Sequence, residues 1–350
     1  MLPAVIALMA GILILAACIG HKTPEEDNAS SGVSWYNNVS SVENYSYTYE
    51  SSRFENVLLL KDCLYDFWND LNIPGMPSTR TQDVADHIIY SEDICPQGVC
   101  LTEEFIMLTA YSADTSYLGE IMIFDRSNCQ YLATFGLSSK SHLGGLTYDG
   151  ENVWICSSSN DSIMRISYDF IELMAWKNTG GVIDARGLVD VYSVSNTPSC
   201  ITWYDGRLWV GTHNILFDAE VFSYYYNDKT NQLETLSSFA IPAQVQGIAF
   251  SEDGKVYVST SYGRKRSSYL KVYDSVEKMA ADTGNPKSTI EMPPCSEEIC
   301  YEDGKLYILF ESAGMKYLEG TDGNGQSPAP IDKLLILLLD DEGMITMKST

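Results

Sequence analysis

The sequence predicts an all-β chain folded as a five-bladed β-propeller, and three observations carry that prediction. A hairpin phrase recurs five times, as Gln97–Ser112, Gly144–Asn160, Cys200–Asn214, Gln246–Arg264 and Glu298–Ser312. Four copies turn on an Asp-Gly pair, at Asp149-Gly150, Asp205-Gly206, Asp253-Gly254 and Asp303-Gly304. Such a pair between apolar runs marks a tight hairpin, because the turn needs positive φ and glycine supplies it. The copies recur at roughly fifty residues, the period of a repeat that stacks sheets around an axis. A sandwich would not repeat its hairpin at fixed intervals.

In chain order, residues 1–17 read as a signal peptide. The apolar run Leu2–Ala17 is short for a membrane span, which needs ~20 residues, and suits a secretory h-region. Leu15-Ala16-Ala17-Cys18 resembles the bacterial lipobox, in which Cys18 receives a diacylglycerol thioether. The run has no Lys or Arg before it, so a plain signal peptide and a retained anchor stay as alternatives. Residues 18–53, rich in Ser, Asn, Tyr and Glu, have the composition of a tether. In 54–85, Val57, Leu60, Leu64, Phe67 or Trp68, and Leu71 fall at helical spacing before Pro74-Gly75. They predict one amphipathic helix from about Glu55 to Leu71, followed by a loop.

The propeller takes 86–350. Each hairpin is followed by a third apolar run, as in Gly119–Asp125, Ala219–Tyr226 and Lys333–Asp340. Fourth runs follow in QYLATFG, QLETLSSFAIP and STIEMPP. The first hairpin has Glu103-Glu104 in place of Asp-Gly, so its turn must differ. The fifth unit carries a Gly- and Pro-rich insertion, Tyr317 to Pro330. The strand closing the ring is expected from His87–Asp93, with Met344–Lys348 as the alternative.

The formal charge is −25, from 22 basic and 47 acidic residues. Nucleic-acid binding draws its affinity from neutralised phosphates, so this chain would repel such a partner. It would likewise gain nothing from an anionic bilayer, leaving the N-terminal lipid as its only membrane contact. Eight cysteines remain besides Cys18, and none has zinc-ligand spacing with histidine. No metal or cofactor is called for. Cys100 and Cys300, at matching strand positions, read as small buried fillers. Cys95 and Cys295, in entry loops, are the better disulfide candidates.

The phrases PQGVC, HLGGLTYDG, TWYDGRLWVGT, QGIAF, SYGR, EMPPCSE and LYILFES, spread over Asp86 to Asp340, together resemble a family of exported bacterial propeller proteins. The resemblance implies a propeller and export, and no particular activity. Cys295–Glu298 departs from it, with CSEE where an S-E-G phrase is expected.

In a propeller, the start of each innermost strand and the end of the second meet on one face of the channel. The polar residues of the repeats stand at those two places. Gln97, His142, Gln246, Glu297 and Glu298 lie at first-strand starts; Tyr111, Asn160, His213, Tyr262, Arg264 and Glu311 follow second strands. Glu298 aligns with Gly98 and Gly247, close-packed positions, which leaves Glu297 as the expected channel residue. Arg264 is expected either to pair with Glu311 between blades four and five or to clamp a carboxylate or phosphate. His142 and His213 suit a metal, acid–base work or plain hydrogen bonds. Lys265 and Arg266 extend a basic spot whose natural partner is an anionic ligand group.

Three functions compete. The first is a monomeric, membrane-tethered or secreted protein that captures an extracellular small ligand, glycan or peptide. The second is an extracellular hydrolase or lyase using His142 or His213 with Glu297 or Glu311. The third is a protein-interaction scaffold. A metal held by both histidines and a Glu would favour the enzyme, a mouth plugged by the insertion the scaffold, and an open mouth without an acid–base pair the binder.

Overall fold

A computed structural model describes residues 60–76, 94–112, 118–138, 142–177 and 181–348. They form five separate sheets, each led by one of the repeated hairpins. The five-bladed propeller expected from the repeat is the observed architecture. Blade one runs Ile94–Leu101, Phe105–Ser112, Gly119–Asp125 and Tyr131–Ser138, every neighbouring pair antiparallel. Blades two, three and four start with Leu146–Tyr148, Cys200–Tyr204 and Val245–Phe250.

Strand alternation explains how the blades pack. In Phe105–Ser112, Ile106, Leu108 and Ala110 join a core shared with Leu309 and Ala313 of blade five. Phe105 and Met107 point the other way, into a core with Leu146, Ile155 and Met164 of blade two. Both faces of an inner strand are thus buried, which is why the repeats read as near-continuous apolar runs rather than alternating ones. The same arrangement joins blades two and three around Trp154, Ile201 and Tyr224.

The Asp-Gly turns divide into two kinds. At Asp205-Gly206 and Asp303-Gly304 both residues have positive φ, the geometry of a two-residue hairpin. Asp149-Gly150 and Asp253-Gly254 have positive φ only at the glycine. In blade one the Thr102 hydroxyl accepts the Phe105 N–H at 3.0 Å, closing a turn that lacks the pair.

The closing strand is neither expected candidate in full. Tyr65–Phe67 pairs antiparallel with Leu335–Leu338 as the outermost strand of blade five. Met344–Lys348 only flanks it, through isolated bridges Leu339–Ile345 and Cys63–Met347. His87–Asp93 lies outside the described residues. The predicted helix is therefore corrected over its described part: Leu60–Asp62 is a single 3-10 turn and the chain then enters a sheet. Leu60, Phe67 and Leu71 are buried as the helical spacing required, but Leu64 is exposed and Cys63 is buried in its place, as befits an extended rather than a helical segment. The unpaired edge of Leu335–Leu338 offers this segment ladder hydrogen bonds and an apolar face together, which outweighs a helix held by one stripe alone.

Blade two holds the other departure. After its third strand the chain forms a helix, Tyr168–Lys177, then adds Gly181–Asp184 parallel to the outer strand of blade one. Only then does Asp190–Ser193 complete blade two. Blades one and two are therefore laced by an exchanged segment that the repeat pattern does not announce.

None of the eight described cysteines forms a disulfide. Cys95 and Cys295, expected to bridge, share one small apolar cluster with Tyr317 and Tyr111. Cys18 and the tether lie outside the described residues. No helix among the described residues is long and apolar enough to cross a membrane.

Candidate functional site at the channel face

The polar residues at the strand starts owe their placement to a repeated irregularity. In blade one the register shifts between Pro96 and Gly98, in blade four between Val245 and Gly247, and in blade five between Ser296 and Ile299. Each is a one-residue bulge on the innermost strand. The extra residues at matching places are Gln97, Gln246 and Glu297. A bulge re-aims a side chain out of the ladder, here toward the channel face.

Glu298 behaves differently from its expected close-packed role. Its carboxyl group sits at the centre of the ring, where Oε2 accepts the N–H groups of Val99 (3.2 Å) and Leu146 (2.9 Å). Oε1 accepts the Ile201 N–H at 3.1 Å. These donors occupy matching positions in blades one, two and three. Glycines in matching positions make the room: a Cβ on Gly98 would lie 2.9 Å from Oε2, and one on Gly145 closer still. A Cβ on Gly247 would lie 2.7 Å from the Glu298 Cα. Burial pushes the Glu298 pKa well up, and the three N–H bonds pull it partly back. Glu298 is thus the channel's plug. Beyond it, on the hairpin side, lies a pocket of about 140 Å³ beside Cys100, Tyr148, Trp203 and Tyr301.

Glu297 and Glu311 form the floor of the opposite mouth. Both are buried. Each bears on the other's ionisation, as two carboxyl groups placed side by side must. Gln97 donates to Glu311 at 2.9 Å and Gln246 to Glu297 at 3.2 Å, tying the pair to blades one and four. The Tyr317 hydroxyl also donates to Glu311. Burial raises both carboxyl groups, and for Glu297 the charge of Glu311 raises it further; Lys316 opposes the shift in each. Two like groups at contact cannot both ionise away from water, so the pair keeps a proton at neutral pH.

Lys316 links this floor to the far side of the mouth. Its ammonium donates to the Tyr111 hydroxyl at 2.8 Å and lies over the Tyr317 ring at 4.7 Å. Tyr111 in turn meets the His142 ring edge-on at 4.5 Å. Crowding by the surrounding protein lowers the His142 pKa, with Lys316 and His213 adding to the effect, although the residue keeps an exposed edge. His213 Nδ1 donates to the Val245 carbonyl at 2.9 Å, which leaves Nε2 as its other ring nitrogen. Among the described residues, no group of three or more His, Cys, Asp or Glu is placed to hold a metal ion.

Arg264 has neither expected role. Its guanidinium donates to the carbonyls of Lys316 (2.8 Å) and Gly325 (2.7 Å) and pairs with Asp322. It also lies over the Tyr317 ring at 4.6 Å. All these partners belong to the blade-five insertion or its entry, so Arg264 pins that loop and is not available to a ligand. Burial alone would raise Asp322, but hydrogen bonds from Asn324 and Arg264 bring it down to about 2. Glu311 is left for Gln97 and Tyr317. We expect Arg264→Ala to cost about 3 kcal/mol in urea unfolding, since it strands two carbonyls and a carboxylate. Limited proteolysis should then cut within residues 317–330; an uncut loop and an unchanged midpoint would refute the pinning role.

The pinned insertion walls a cleft of about 620 Å³. Gln246, Glu297 and Glu311 lie at its floor, and Tyr262, Lys265 and Arg266 line it from blade four. The insertion contributes Asp322 and Asn324 and leaves the cleft open. Of the sequence-predicted site residues, Gln97, Tyr111, His142, Gln246, Glu297 and Glu311 are brought together. Tyr262 and His213 stand nearby at the same face, and Asn160 is exposed on its own 3-10 turn. Sequence reasoning missed Lys316 and Tyr317. They sit in a short helix, Met315–Leu318, whose only sequence signal is its place at the entry of the insertion.

Comparison with known proteins finds distant likenesses to solved structures alone. No family model and no curated protein matches the chain. Among solved structures it resembles the glutaminyl cyclase of Myxococcus xanthus, at 9% identity and a TM-score of 0.41, over 72% of this chain and 94% of that one. It also resembles a chain of a nidogen/laminin complex, at 12% identity and a TM-score of 0.38, over 61% and 72%. A third is the hydrazine synthase of Kuenenia stuttgartiensis, at 8% identity and a TM-score of 0.37, over 65% and 58%.

Proposed function

We propose that the chain is an exported protein, tethered to the membrane through a lipid on Cys18, that binds a glycan in the cleft at its channel face. The observation carrying this reading is that one open cleft joins an exposed tyrosine ring to a floor of hydrogen-bonding groups. Tyr262 offers an aromatic face at the rim. Gln246, the protonated pair of Glu297 and Glu311, and Asn324 supply donors and acceptors below it. A flat apolar surface beside a few convergent polar groups is the arrangement that orients a small polar ligand. A saccharide ring, apolar on one face and edged with hydroxyls, matches both parts. A peptide competes for the hydrogen-bonding groups but gains less from a single ring.

The test is thermal melting of the full chain in detergent with neutral and acidic oligosaccharides, and with peptides of similar size. A ligand present at 100 times its Kd should add about 2.7 kcal/mol. Tyr262→Ala should weaken saccharide binding at least tenfold. Stabilisation by peptides alone would replace the glycan with a peptide ligand, and no stabilisation by either would remove the binding reading.

A second reading draws on the carboxyl pair itself. A proton held by the pair of Glu297 and Glu311, with Lys316 and Tyr111 adjacent, is the equipment of general acid–base chemistry. Were a bound saccharide cleaved or eliminated, Glu297→Gln would abolish turnover while leaving the Kd within a fewfold. Incubation of bound saccharides with the chain, followed by mass spectrometry of the products, decides between the readings.

A further inference from the structure

We propose that Lys265 and Arg266 form an anion subsite on the blade-four rim of the cleft, and that the bound glycan is acidic, its carboxylate seated there. This rests on the glycan reading above and narrows it. Arg126, Arg165, Arg186, Arg207 and Arg264 each pair with a carboxylate: Glu302, Asp190, Asp184, Asp205 and Asp322. Arg266 has no such partner among the described residues. In a chain of 47 acids and 22 bases, an arginine without a carboxylate is the exception to be explained. Its neighbour Lys265 is also exposed and forms no ion pair among the described residues.

The carboxylates that line this cleft, and Glu291 beside Ser267, have other partners. Asp322 is held by Arg264 and Asn324. Glu291 accepts from the Ser267 hydroxyl. Glu311 is taken by Gln97 and Tyr317, and the pair it forms with Glu297 keeps a proton. The cleft therefore presents two uncompensated cations inside a strongly negative molecule.

Geometry makes Arg266 the anchor. Its guanidinium lies over the Tyr262 ring at 5.3 Å, which holds the planar fork beside the aromatic face proposed to carry the sugar. A guanidinium meets a carboxylate with two parallel N–H bonds, a match that a lysine alone does not make. Lys265 reaches along the insertion wall, where its ammonium would lie 3.1 Å from a Cβ placed on Gly325. A uronic acid stacked on Tyr262 would turn its carboxylate toward Arg266 and its ring hydroxyls toward Gln246 and the floor.

The experiment compares tetrasaccharides of galacturonate, glucuronate and mannuronate with their methyl esters, by calorimetry on the full chain and on Arg266→Ala. Esterification removes the charge and leaves the hydroxyl pattern. At least one uronate should bind tenfold or more tighter than its ester. Arg266→Ala should lower it to the level of the ester while changing the ester less than twofold, and 500 mM NaCl should narrow the gap. Equal binding of acid and ester, or preference for neutral saccharides, overturns the anion subsite and leaves the glycan reading standing. An equal loss of both ligands in Arg266→Ala reduces Arg266 to a support for Tyr262 and also overturns it. Failure of every saccharide, acidic or neutral, removes the glycan reading and this inference together.

Discussion

Glu298→Gly should destabilise the chain by about 5 kcal/mol, measured as a shift in urea midpoint at constant m-value. Three buried N–H groups lose their acceptor at once, and each orphaned donor costs about 1–3 kcal/mol. Water entering the void recovers part of that sum, which keeps the loss below its upper bound. Glycine is the informative replacement because blades one, two and four already carry Gly98, Gly145 and Gly247 in matching places. The backbone therefore tolerates it, and the loss reports the carboxyl group. Glu298→Gln should cost about 2 kcal/mol, since either orientation of the amide turns its NH2 toward at least one N–H. If Glu298→Gly unfolded at the midpoint of the native chain, the carboxyl group would have no part in holding blades one, two and three to blade five.

The second large effect has the opposite sign. Glu120 is buried in the third strand of blade one, and neither of its carboxyl oxygens has a hydrogen-bond partner among the described residues. Burial alone pushes its pKa from 4.5 up to about 8. A carboxyl group whose folded pKa is raised contributes its full stability below the unfolded pKa and loses it as pH climbs through the folded one. Glu120 therefore weakens the fold progressively from about pH 4.5 to about pH 8, by about 4 kcal/mol over that window. Replacing it with methionine, of similar length and without a charge to desolvate, should stabilise the chain by about 3 kcal/mol at pH 8 and by much less at pH 5. Glu120→Gln should flatten the same pH window without matching the methionine gain, because its amide is still unpaired. Urea unfolding at the two pH values decides it: a methionine variant that gains equally at both would show that Glu120 is not the titrating group.

Glu297, Glu298 and Glu311 shift in the same direction as Glu120, so the native chain should be more stable near pH 5 than near pH 8. His142, with its lowered pKa, opposes this only as pH falls below the ordinary histidine range. The channel face thus carries buried acids that would repel one another if all were ionised. Holding a proton on the Glu297 and Glu311 pair removes that repulsion and leaves the floor able to donate as well as accept hydrogen bonds.

How much of this was legible beforehand differs by element. The hairpins were, because Asp-Gly between apolar runs is a local signal whose geometry needs only its own residues. The gathering of Gln97, Gln246, Glu297 and Glu311 at one mouth was too, because a repeated motif must return its ends to one face of a ring. The bulges were not. QGV, QGI and EEI show the same spacing whether or not a register slips, so two adjacent glutamates read as diverging when both in fact reach the channel.

The sequence by itself determined the propeller, the number of its blades and the face on which polar groups collect, since all three follow from periodicity and turn chemistry within each repeat. Tertiary structure decided the rest. Tyr65–Phe67 closes the ring because a distant strand edge was available there, overriding a local helical pattern. Arg264 pins a loop more than fifty residues away instead of pairing with Glu311. Glu298 fills the axis because three other blades leave room for it. Each of these outcomes depends on which groups meet across the ring, and no window of neighbouring residues contains that information.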